Sequence, residues 1–263
     1  MTTVSSRERS YVLADSEVPP PFPRVICGVD GTSASREAIR QAATLSGPGG
    51  RVEYVRAEPG AAGDEADDGA LANALAVAGN LGAEPSAGTS TGAGLVYSLL
   101  ERAGPKDLIV VGVRGDPTTL LHRAPGAVLI ARPVPSTRPF PRDLLVASDG
   151  LASSRAAIRL SAAVARRHHA LVSHLHVGAP DAARGARLAD ERRLLEQATG
   201  SPPVTVVETG AVPWSVGFQA RERRCSLLVV GSRGLRSLRA PMSVSDRLVH
   251  DAPCSVLVAP PDG

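Results

Sequence analysis

Along residues 143–260, short apolar runs alternate with longer stretches whose apolar positions recur at helical spacing. Residues 143–148 read as a strand. Ser153 or Ser154 can cap a helix running to about residue 168. A second strand is expected over 170–177 and a charged amphipathic helix over 181–199. Strands over 203–209, 227–230 and 256–259 complete the set, with a helix over 212–223 that holds Pro213 in its first turn. Near-continuous apolar strands joined by helices predict a parallel sheet covered on both faces, with right-handed crossovers. In such sheets ligands bind at the carboxyl ends of the strands, where the strand order reverses.

The pattern occurs twice. VICGVDGTSASREAIRQAA from Val25 and LLVASDGLASSRAAIRLSAA from Leu144 align on Asp30 and Asp149, which lie 119 positions apart. They share Asp-Gly, Ser35 with Ser154, Arg36 with Arg155, and Ala-Ile-Arg. DLIVVGVRG from Asp107 and SLLVVGSRG from Ser226 repeat the offset of 119. Two matches at one offset mark a duplicated domain rather than a solenoid. The expected organisation is a tail over 1–23, a first domain over 24–133, a stiff proline-rich linker over 134–141 and a second domain over 142–260.

Composition narrows the picture. The 263 residues suit one large or two ordinary domains. Aromatic residues make up only 3%, so the core must be built from Ala, Val and Leu. Lys and Arg number 29 against 26 acidic residues, a near-balance that argues against a nucleic-acid partner. Cys27, Cys225 and Cys254 have no metal or redox spacing and sit in or beside apolar runs, so they read as buried thiols. The N-terminus lacks the apolar core of a signal peptide, and no apolar run is long enough to span a membrane. A cytoplasmic location without a membrane partner is the expectation.

Three motifs carry a family resemblance: strand, Asp-Gly and Ser in VASDG and CGVDGTS, then VVGSRG, then the closing HDAPCSVLVAPP. With them the chain resembles a tandem universal stress protein over about 24–133 and 142–260. The resemblance implies an α/β fold of two tandem doubly wound domains, each a five-stranded parallel sheet of order 3-2-1-4-5. It also implies edge-to-edge pairing of the final strands, here 127–131 and 256–259. The halves would then form a pseudo-dimer, and self-association would run through terminal strands.

Some members of that family bind ATP through Gly, two residues, Gly, nine residues, then Gly-Ser or Gly-Thr. Glycines let backbone N–H groups approach phosphate oxygens, and the helix start adds unpaired donors and its positive dipole end. The Asp after the first strand lies near the nucleoside in those members. On this sequence the resemblance places Asp149, Gly231, Gly234, Ser243 and Ser245 at the second-domain site. Met242 stands where the third glycine belongs, and only seven residues separate it from Gly234. ATP binding is therefore expected to be weak and confined to the second domain. Arg233, Arg236 and Arg239 either offer charge to an anion or are solvated loop residues. In the first domain, His122 follows Gly115 by 7 positions, whereas His250 follows Gly234 by 16. The distal loop is missing, Asp116 adds negative charge, and the first site reads as lost. Asp30 is then a turn or helix-capping residue.

His168 and His169 suit a helix C-terminus. His174 and His176 alternate on one side of a strand as a candidate metal pair without a third ligand. Neither a G-x-S-x-G elbow nor a P-loop occurs. The expected function is a non-enzymatic stress-response module acting through domain contacts, with nucleotide binding lost in the first domain and weakened in the second. An adenine-nucleotide sensor with one live second-domain site is the alternative. A nucleotide hydrolase is a weaker one, since the lone nearby acid, Asp246, reads as a helix-start residue. No protein partner can be named from the sequence.

Overall fold

The computed structural model describes residues 18–56, 64–90, 94–113, 117–134, 138–232 and 243–260. The first half contributes β1 (Arg24–Val29), α1 (Ser33–Ser46), β2 (Arg51–Arg56), α2 (Asp64–Asn80) and β3 (Glu84–Thr89). It continues through α3 (Leu95–Arg102), β4 (Leu108–Gly112), α4 (Thr118–Arg123) and β5 (Ala127–Ala131). The second half contributes β6 (Asp143–Ala147), α5 (Ala152–His168), β7 (Leu171–Val177), α6 (Ala182–Thr199) and β8 (Val204–Glu208). It closes with α7 (Val212–Glu222), β9 (Leu227–Gly231), α8 (Val244–Asp251) and β10 (Ser255–Ala259).

All ten strands form one sheet of order β3-β2-β1-β4-β5-β10-β9-β6-β7-β8. Each half is thus a parallel sheet of order 3-2-1-4-5, and the two meet where β5 and β10 pair antiparallel. The register sets Ile130 against Val256 and Leu129 against Leu257. The sequence requires this join. Both strands, AVLIA and SVLVA, are buried at every position, so neither tolerates being an open edge. The true edges read differently: β3 is EPSAGT, almost wholly exposed, and β8 is VTVVE, exposed or half-buried throughout.

Strand alternation splits the core in two. Leu144, Val146, Val172 and Val229 pack under α5 and α6. Leu145, Leu175, Leu228 and Val230 pack on the other face, under α7 and α8. The three cysteines are buried and unpaired.

The join is also polar. Arg132, just past β5, donates its backbone N–H to Ser255 Oγ at 3.0 Å and accepts from Gln41 Nε2 at 2.9 Å. Its buried guanidinium donates to the carbonyls of Val249 and His250. The first half thereby satisfies the C-terminal carbonyls of α8 in the second. Arg167 of α5 reaches back to Pro48 O at 2.8 Å. His122 Nε2 of α4 lies 3.7 Å from Asp246 Oδ1 of α8.

One capping expectation needs correction. Neither Ser153 nor Ser154 is the N-cap of α5. The N-cap is Leu151, without a side-chain bond, because the turn before it is already closed by Asp149 Oδ1 accepting from Leu151 N–H at 3.0 Å. Ser154 lies buried in the first turn instead. In the first half Asp30 is a turn residue, accepting from the backbone N–H (3.1 Å) and hydroxyl (2.6 Å) of Thr32, and Thr32 caps α1.

Candidate functional site

A crevice of about 130 Å³ opens at the carboxyl ends of β6 and β9. These strands are neighbours in the sheet, and from them the chain leaves to opposite faces, into α5 and towards α8. This is the strand-order reversal at which such sheets bind ligands. One wall is apolar: Val212 and Val216 of α7, Val230 of β9 and Leu248 of α8. The other carries Ser148, Asp149 and Ser154. Asp149 is the one acid among the described lining residues.

The turn that presents Asp149 is specified locally. Gly150 has φ +67°, as does its counterpart Gly31 at +70°, and only glycine takes this conformation without strain. Gly150 N–H donates to Ser148 Oγ at 3.0 Å. Ser148 Oγ in turn donates to Ser154 Oγ at 2.9 Å.

The structure separates the predicted site residues. Asp149 and Gly231 line the crevice. Ser243 and Ser245 do not; they build the start of α8. Ser243 Oγ accepts from Asp246 N–H at 3.2 Å. Asp246 Oδ2 accepts from Ser243 N–H at 3.0 Å and from its hydroxyl at 2.7 Å. The two serine hydroxyls lie 2.9 Å apart. This is a capping box, and it commits Asp246 to the helix. Gly234, Arg233, Arg236, Arg239 and Met242 lie outside the described residues, as do Gly115 and Asp116.

His174 and His176 do share a side of β7, but each ring already has a partner. His174 Nε2 faces Glu191 Oε2 at 3.1 Å, and His176 Nδ1 lies 2.9 Å from Ser148 O. Among the described residues no three metal-ligating side chains cluster. Sequence reading missed the apolar wall, because Val212, Val216 and Leu248 are spaced like any core-facing residues. It also missed Ser148 and Ser154 as lining groups; Ser154 was in view, but only as a cap.

Among the described residues, the matching place in the first half is closely packed. Gly28 occupies the position of Ala147, and a Cβ built there would lie 3.3 Å from both Leu95 Cδ2 and Leu99 Cδ1. Those leucines of α3 occupy the space that the crevice leaves open in the second half. At Gly112, the counterpart of Gly231, a Cβ would come within 2.5 Å of the Ala34 carbonyl carbon, so the start of α1 presses directly on the strand end. Helix α4 has six residues and no side-chain cap, against eight and a capping box in α8.

Comparison with known proteins fits this geometry. A model of the Universal stress protein family matches residues 141–260. A universal stress protein from Archaeoglobus fulgidus DSM 4304 superposes with a TM-score of 0.71 at 17% identity, over 92% of this chain and 99% of that one. A putative universal stress protein from Pseudomonas aeruginosa UCBPP-PA14 gives 0.61 at 16% identity, over 92% and 94%. The cytoplasmic domain of a prokaryotic cation chloride cotransporter gives 0.57 at 14%, over 90% and 95%. Identities this low establish the shared fold alone. No curated protein sequence matches the chain. Among the described residues no helix is long and apolar enough to cross a membrane. Residues 141–260 match the universal stress protein family model, and the first half of the chain repeats the fold of that domain.

Proposed function

We propose that this chain is a non-enzymatic stress-response module with one working ligand crevice, in its second half, which takes an adenine nucleotide weakly. The first-half site is lost. The observation that carries this reading is the contrast between the open crevice around Asp149 and the equivalent space packed by Leu95 and Leu99. An apolar wall opposite a carboxylate suits a nucleoside: the wall takes the base, and Asp149 accepts from ribose hydroxyls. The phosphates would then fall toward Gly231 at the end of β9. Nothing in the described crevice supplies a second acid for hydrolysis, since Asp246 is tied into its capping box.

Action through domain contacts is supported by the join. Leu248 walls the crevice, and the same helix ends on the Arg132 clamp and faces His122 at its start. A ligand that moves α8 therefore acts on both halves.

Calorimetric titration of the whole protein with ATP, with phosphate release followed in parallel, tests the proposal. One site with Kd on the order of 0.1–1 mM and no turnover is expected. Micromolar affinity would favour the competent-sensor alternative, and steady phosphate release would favour a hydrolase. Absence of saturation at about 10 mM would remove the nucleotide from the reading.

A further inference from the structure

The turn bearing Asp149 is gripped by side chains at three of its carbonyls. His176 Nδ1 donates to Ser148 O at 2.9 Å. Arg187 Nη1 donates to Gly150 O at 3.1 Å. Ser154 Oγ donates to Leu151 O at 2.9 Å and also lies 3.4 Å from Glu191 Oε1. The second oxygen of Glu191 faces His174 Nε2 at 3.1 Å. A continuous polar chain therefore runs from His174 through Glu191 and Ser154 to Ser148 and the turn.

This chain lies deep in the protein. His174 is 2% exposed, Ser154 4%, Ser148 6% and Glu191 7%. Helix α6 buries only Glu191 and Leu195 among its residues, so half of its buried contribution is a carboxylate. Burying a carboxylate is costly unless it is paired, and apolar residues of similar size often serve stability as well or better. The first half shows the cheaper solution. Tyr54 takes the strand position of His174: it pairs with Cys27 as His174 pairs with Val146, and Cys27 and Val146 are 119 apart. Val29 replaces Ser148. Stability alone does not call for the polar version, and it occurs in the half whose crevice is open.

We propose that Glu191 and His174 are positioning residues of the second-half crevice, a buried relay that holds the Ser148–Leu151 turn, and with it Asp149, ready for a ligand. The proposal rests on reading that crevice as the ligand site. Neither residue touches the ligand. Both act through Ser154, whose single hydroxyl proton is shared between the Leu151 carbonyl at 2.9 Å and Glu191 Oε1 at 3.4 Å.

The test is a double variant, Glu191→Leu with His174→Tyr, beside the single variant Glu191→Gln, all in the whole chain. Glutamine keeps an acceptor for His174 and gains a donor for Ser154. Amide hydrogen exchange of Gly150 and Leu151 is read in the free protein, urea unfolding checks the fold, and ATP is the ligand probe. In the double variant those two amides should exchange about tenfold faster while protection of the β6 amides and the urea midpoint hold. Its ATP affinity should fall about tenfold, and Glu191→Gln should stay within about threefold of the native protein on both readouts. Unchanged exchange at Gly150 and Leu151 would overturn the proposal, as would uniform loss of protection with a lowered midpoint, the mark of a merely structural role. Faster exchange at the turn with ATP affinity unaltered, or with no ATP binding by any form, would uphold the relay and instead refute the reading of the crevice as a nucleotide site.

Discussion

The two halves share a strand order, a repeat offset and an Asp-Gly turn, yet among the described residues one opens a crevice at its strand ends where the other packs Leu95 and Leu99. The difference lies in a few side chains. In the first half a glycine at position 28 lets Leu95 and Leu99 reach down onto the strand. In the second, Ala147 stands under Val212 and Val216, whose shorter side chains leave space. On the proposed reading, a duplicated fold keeps a site in one copy and closes it in the other without altering the topology. What moves is side-chain volume at the strand ends and the polar support behind the turn.

The largest effect that separates the halves should come from truncating these walls. Leu99→Ala should cost about 2–5 kcal/mol in urea unfolding, because it empties a fully enclosed volume. Val216→Ala should cost less, since it removes fewer methyl groups and borders space that is already open. Equal losses would erase the distinction between a filled site and an open one.

The join sharpens the asymmetry. Arg132 of the first half clamps α8, whereas the residue in the matching place after β10 is Pro260. Arg132→Ala should cost about 2–4 kcal/mol by leaving the Val249 and His250 carbonyls without their charged donor. Pro260→Ala should fall within about 0.5 kcal/mol of the native protein. Comparable losses at both positions would mean that the clamp is not a feature of one half.

The smallest expected effect is one that the halves share. Burial raises the Cys27 thiol, with Asp30 adding to it. Burial likewise pushes Cys225 and Cys254 up to about 12. All three are therefore protonated at pH 8, and the reactive thiolate is scarce. Alkylation of the native protein at pH 8 should label none of them, and unfolding should expose all three. Selective labelling of Cys27 would show that the first-half core is looser than its packing indicates.

Much of this was legible in the sequence. The repeat at 119 positions gave the duplication, and the doubly apolar strands gave a sheet covered on both faces. Asp149 and Gly231, which the family resemblance names, were legible to the extent that both line the crevice. The crevice wall was not, because a valine that faces a gap and a valine that faces a neighbour have the same periodicity. Ser154 was misread for a related reason: a serine near a helix start looks like a cap, and only the closure of the preceding turn by Asp149 moves the cap to Leu151. His174 and His176 were visible as an alternating pair. Glu191, 17 positions after His174 and on another element, meets it only through the packing of α6 on β7.

The central claim, one working crevice confined to the second half, is tested most directly by the stoichiometry of ATP binding to the whole chain and to two variants. Ala147→Leu should fill the second crevice as Leu95 and Leu99 fill the first. Gly28→Ala makes the mirror change in the half that is already closed. The native protein and Gly28→Ala should each bind one ATP with the same affinity, and Ala147→Leu should bind none while unfolding as cooperatively as the native protein. Two equivalents bound by the native chain, or binding that survives Ala147→Leu and is lost in Gly28→Ala, would contradict the account.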